Sequence, residues 1–72
     1  MRYYVAKGPI KEARYTWNLS LYKVNDRMYA EIIRFYPDGT IIKDIVKSLN
    51  FYFIQKYCKK ISKEKYESIL GL

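Results

Sequence analysis

The chain has 72 residues, fourteen Lys and Arg against seven Asp and Glu, thirteen aromatic residues, one cysteine and no histidine. So short a chain makes one domain over residues 1–72, with a thin stability margin, because a domain of about 60 residues buries only about 60% of the surface its unfolded chain exposes. The composition excludes histidine-based acid–base catalysis, a His/Cys metal cluster and an internal disulfide, and the net charge of +7 favours polyanionic partners.

The elements follow in chain order. Met1 to Lys7 is rich in Tyr and Val, stops at Gly8-Pro9 and reads as a first strand. From Tyr15 to Val24 the pattern alternates, with Tyr15, Trp17, Leu19 and Leu21 on one side and Thr16, Asn18 and Ser20 on the other; Trp17, Leu19 and Leu21 are expected inside. Asn25-Asp26 is a turn pair, so Arg27 to Tyr36 returns as the second strand of a hairpin. Pro37-Asp38-Gly39 is the strongest turn signal in the chain.

Residues 40–50 support two readings. Ile41, Ile42, Ile45, Val46 and Leu49 share one arc of a helical wheel, yet three isoleucines and a valine in six residues lose rotamer freedom in a helix. The β-branched run and the preceding Asp-Gly turn favour a strand. Phe51 to Lys60 reads as a further strand, with Phe51, Phe53, Tyr57 and Ile61 on one face. The C-terminus is a helix from about Lys63 to Leu70: Ser62 caps it, Ile61 staples onto Tyr66, and Gly71 stops it. Strands first and a helix last give an α+β domain, a small antiparallel sheet of four to five strands, open or curled toward a barrel, with the helix packed on it.

Nine isoleucines, four leucines before the last residue and the aromatic rings suffice for one core without disulfide or metal, and a homodimer would relieve the small-core problem further. The first residues lack the apolar run of a secretory signal, and the longest uncharged stretch, Ser48 to Gln55, is far short of the roughly 20 apolar residues a spanning helix needs. The expectation is a cytoplasmic, intracellular chain with no membrane segment.

For catalysis the inventory is poor. The carboxylates are scattered, Cys58 has no histidine to activate it and reads as a small packing residue, and Gly8, Gly39 and Gly71 are too isolated for a phosphate loop. No enzyme, cofactor or metal is expected. Lys, Tyr, Ile and Asn, all specified by A/T-rich codons, make up 31 of the 72 residues, so genome composition is a second source of the basic balance.

Two basic groups stand out: Lys56, Lys59, Lys60 and Lys63 near the C-terminus, and Arg2, Lys7, Lys11 and Arg14 near the N-terminus. Should the first and last strands meet, the two merge into one phosphate-tracking surface. Tyr4, Tyr22, Tyr36 and Tyr52 are the candidate stacking or interface rings. The leading expectation is a non-enzymatic nucleic-acid-binding domain of weak sequence selectivity. The alternative is a small protein interaction or inhibitor module, of the kind viruses and mobile elements encode, that docks on an acidic protein surface through tyrosines and an edge strand.

Overall fold

The computed structural model describes residues 1–71. Strands β1 (Arg2–Lys7), β2 (Leu19–Val24), β3 (Ala30–Phe35) and β4 (Ile41–Val46) run as a meander, each antiparallel to the one before. Helix α1 (Phe51–Tyr57) then leads into a three-residue strand, β5 (Lys59–Ile61), which pairs antiparallel with β1, and α2 (Lys63–Leu70) follows. The resulting fold is α+β, with one sheet of order β4-β3-β2-β1-β5 that is open rather than closed into a barrel.

Local chemistry explains the turns. Asn25 Oδ1 accepts from the Arg27 and Tyr29 amides at 2.9 and 3.0 Å, which ties the β2–β3 connection to its own first residue. Between β3 and β4, Tyr36 N–H donates to the Thr40 carbonyl at 2.9 Å and Gly39 takes φ 88°, a left-handed conformation that glycine adopts without a Cβ penalty. At the end of α2 the expected signals act together: Ser62 Oγ accepts from the Lys65 amide at 3.1 Å, and Gly71 closes the helix at φ 81°.

Pleating sends alternate side chains to opposite faces, and the two faces have different lids. On the first, Ala6, Tyr22, Val24, Ala30 and Ile32 form the main core with Ile10 and Trp17 from the 8–18 loop and Ile54 from α1. On the second, α2 lies over the β1 side, where Tyr66 is buried with its ring 4.9 Å from that of Tyr3, and Leu21 is wholly buried. No helix among the described residues is long and apolar enough to cross a membrane.

Two expectations are corrected. Residues 51–57 are helical, not extended: Asn50 Oδ1 accepts from the Tyr52 and Phe53 amides at 2.9 and 3.4 Å, and Ile54 is pressed into the core. The cap and the tertiary contact override the strand preference of the rings. The second concerns Trp17. An antiparallel bridge between Ile10 and Tyr15 closes a tight loop, so β2 begins only at Leu19. Trp17 is buried as expected, at 2% exposure, but it serves the first face while Leu21 serves the second, and Leu19 is half-buried. The β-branched run settles the ambiguity at 40–50 as strand β4.

Candidate functional site

β5 enters the sheet beside the end of β1, with Lys59 opposite Val5 and Lys60 opposite Tyr4. The same corner receives Lys7 from the last position of β1, Lys56 from the last turn of α1, and the bridged loop carrying Lys11, Glu12 and Arg14. The loop is pinned there by the Gly8 amide, which donates to the Asn18 carbonyl at 2.8 Å, and by the Tyr15 ring, which meets Phe53 of α1 edge-on at 5.4 Å.

The electrostatic consequence is strong asymmetry. Lys59 and Lys60, opposite Val5 and Tyr4, leave β5 on opposite faces, so the six cations and Glu12 surround this edge of the sheet rather than forming one face, and together they sum to +5 of the net +7. The ion pairs among the described residues lie elsewhere on the sheet: Lys23 with Glu31 at 3.7 Å, and Arg34 with Asp44 at 3.6 Å.

Aromatic faces border the cations. The Lys56 ammonium lies 5.9 Å from the centroid of Tyr52 and 5.3 Å from that of Tyr57, within cation–π range. It is held above the usual lysine value, first by Tyr52 beside it, then by Tyr57, and weakly by Glu12. Tyr52 is 67% exposed. Tyr15 is 40% exposed, and its inner face stacks on Trp17 with centroids 5.6 Å apart and planes 28° apart.

The other expected site residues are dispersed. Arg2 is occupied at the opposite end of β1, where its guanidinium donates to the Asn25 carbonyl at 3.3 Å and approaches Met28 Sδ at 3.5 Å. Lys63 faces a groove on the second face of the sheet. Tyr22 is buried: its hydroxyl accepts from Ser20 Oγ at 2.8 Å, and burial pushes its pKa up to about 12, so it offers no stacking face. Tyr4 and Tyr36 are half-buried against the core. Sequence reasoning missed Tyr15, which alternation placed on the same side as Trp17, Leu19 and Leu21; the signal it lacked was the Ile10–Tyr15 bridge that takes this residue out of strand register.

The groove arises because α2 covers only the β1 side of its face. It measures about 790 Å³, has Ile33 and Ile45 on the strand side and Tyr66 and Leu70 on the helix side, and its charged lining is balanced, Lys23, Lys43 and Lys63 against Glu31, Asp44 and Glu67. Ile41, Ile42 and Ile45 of β4 are all exposed, Ile45 by 66%.

Cys58 is half-buried, and desolvation pushes its thiol up to about 12, so it is protonated and weakly nucleophilic at neutral pH. Comparison with protein-family models, curated proteins and solved structures finds no match to this chain.

Proposed function

We propose that this chain is a nucleic-acid-binding domain of weak sequence selectivity, which engages phosphates through Lys7, Lys11, Arg14, Lys56, Lys59 and Lys60. The observation that carries the reading is the pairing of β5 with β1, which brings the segment holding Lys56, Lys59 and Lys60 beside the end of β1 that holds Lys7. Biased codon usage raises the number of lysines without choosing where the fold collects them.

Five of the six cations are lysines, which act on phosphates as point charges and lack the planar fork that reads guanine edges. Binding then comes mainly from counterion release and is nearly independent of sequence. Full engagement of six phosphates would give a log-log salt slope of about −5 on duplex DNA, at about −0.9 per contact. The test is a salt titration by fluorescence anisotropy on the parent and on Lys59→Glu/Lys60→Glu. The double variant should bind unrelated sequences more weakly by similar factors, flatten the slope and keep its melting temperature, since exposed lysines contribute little to folding. Binding no tighter than millimolar at about 0.15 M salt refutes the proposal, because non-specific binders typically reach about 10⁻⁴ to 10⁻⁶ M there.

A second reading rests on the groove. Its apolar lining and the exposed isoleucines of β4 suit an amphipathic protein segment, and its balanced charges, Lys23, Lys43 and Lys63 against Glu31, Asp44 and Glu67, suit one whose polar edge carries both signs. The net charge of +7 disfavours a second copy of the chain in the same place. Under this reading a partner is retained after nuclease treatment and lost in Ile45→Arg, whereas nucleic-acid affinity does not fall in that variant.

A further inference from the structure

We infer that the ligand of the basic corner is single-stranded nucleic acid, with unpaired bases stacked on Tyr52 and Tyr15. The inference rests on the nucleic-acid reading above and adds to it the physical form of the polymer.

Duplex and single strand display different surfaces. In a duplex the base faces are occupied by neighbouring bases, and the grooves offer only edges; an unpaired base offers a π-face to any ring that can meet it. The corner presents rings with free faces. Tyr52 is the most exposed of the tyrosines and sits one helical turn before Lys56, whose ammonium lies 5.9 Å from its centroid. That spacing puts a phosphate-binding cation beside a stacking ring, the combination one nucleotide requires.

Tyr15 supplies a second platform, built differently. Its ring is stacked on the buried Trp17 and packs T-shaped with Phe53, so two neighbours hold it in place while the residue stays 40% exposed. Rings fixed in advance lose little conformational freedom on binding. Lys56 lies over Tyr52 and is influenced by Glu12, so the Tyr52 side of α1 borders the bridged loop that carries Lys11, Arg14 and Tyr15. A duplex would use the cations of this corner and leave its rings in water.

The experiment compares one labelled single strand of about 16 nucleotides, the upper site size of a small single-strand-binding fold, with the same strand annealed to its complement. Both are titrated by anisotropy across a range of salt. The parent should bind the single strand more tightly. Tyr52→Ala should weaken single-strand binding by roughly 5- to 150-fold, the range spanned by one stacked base, with little change for the duplex and no change in salt slope. Tyr52→Trp should restore the preference, and Tyr15→Phe should keep it, because stacking needs the ring and not the hydroxyl. Tyr52 is exposed enough that its loss leaves the melting temperature unchanged, which separates stacking from folding.

Equal or tighter duplex binding, with Tyr52→Ala indistinguishable from the parent on the single strand, overturns the inference. If Lys59→Glu/Lys60→Glu still weakens both forms, the nucleic-acid reading survives that result. Failure of the parent to bind either form removes the reading and the inference together.

Discussion

Gly8→Ala tests the contact on which the basic corner is built. Gly8 follows the last residue of β1 and lies against Trp17. A Cβ at this position would overlap the Trp17 carbonyl oxygen and approach the ring carbons Cε3 and Cζ3 at 2.8 and 3.0 Å. Neither side can yield cheaply. The Gly8 amide is bound to the Asn18 carbonyl at 2.8 Å, and the Trp17 side chain is closed in by Tyr15 and the core. Overpacking typically costs about 1–3 kcal/mol, and a clash against backbone and a locked ring belongs at the upper end, about 3 kcal/mol. A 72-residue domain has roughly 4–11 kcal/mol of stability in total. At about 4–8 °C per kcal/mol for this size, the melting temperature should fall by about 12–24 °C. Thermal melts by circular dichroism and urea titration measure this, the urea midpoint falling at constant m-value. The variant should also bind nucleic acid less well while still folded, because the displaced loop carries Lys11, Arg14 and Tyr15. A variant that melts within a few degrees of the parent would refute the seating of residues 8–18 on Trp17.

Trp17→Ala should cost about 3–5 kcal/mol by emptying the centre of the first face, and a mutant melting like the parent but impaired in binding would make Trp17 a surface contact instead. A chain truncated after Ile61 should unfold or aggregate, since Leu21 and Tyr3 lose the cover of α2; a soluble, cooperatively folding truncation would contradict that role. Stability should decline at high pH through Tyr22, which ionises at about 10 when unfolded but at about 12 when folded, chiefly because of burial. The raised folded value means its contribution is intact below about pH 10 and is lost as pH rises toward 12, a decline in urea midpoint that Tyr22→Phe should flatten. Cys58 should react with a thiol reagent far more slowly in the native protein at neutral pH than after denaturation, and equal rates would contradict its burial.

What was legible in the sequence depended on whether the deciding interactions were local. α2 could be read to the residue because Ser62 and Gly71 make their hydrogen bonds within their own helix. The turn between β3 and β4 was equally clear, being set by Pro37, Asp38 and Gly39, although the segment after it also fitted a helical wheel. α1 was not, because Phe, Tyr and Ile suit a strand, and its helix is secured by the Asn50 cap together with a tertiary contact at Ile54. The phase of Trp17 was lost for a related reason: alternation along the chain assumes unbroken pairing, and the Ile10–Tyr15 bridge interrupts it. At the site, the two basic groups were visible in the sequence, but their union requires a three-residue strand to cross to β1, and so short a segment carries no periodicity. The dispersal of Arg2 and Lys63 follows from the same topology, since one lies at the far end of β1 and the other begins α2 on the second face.

The placement of the carboxylates separates function from composition more sharply than the number of lysines does. Glu31 sits directly across from Lys23 on neighbouring strands, and Asp44 reaches Arg34 from the adjacent strand, so the sheet neutralises cations where they are flanked. At the β1–β5 corner no such use is made of acidic residues. None of Lys7, Lys11, Arg14, Lys56, Lys59 and Lys60 is in an ion pair among the described residues, although like charges left together repel one another within the Debye length of about 8–10 Å at ordinary salt. Chains biased toward lysine codons acquire more positive charge everywhere and gain nothing from concentrating it. A corner that holds its charge unneutralised, and lines it with rings whose faces are open to solvent, is arranged for a ligand that brings both negative charge and planar surface.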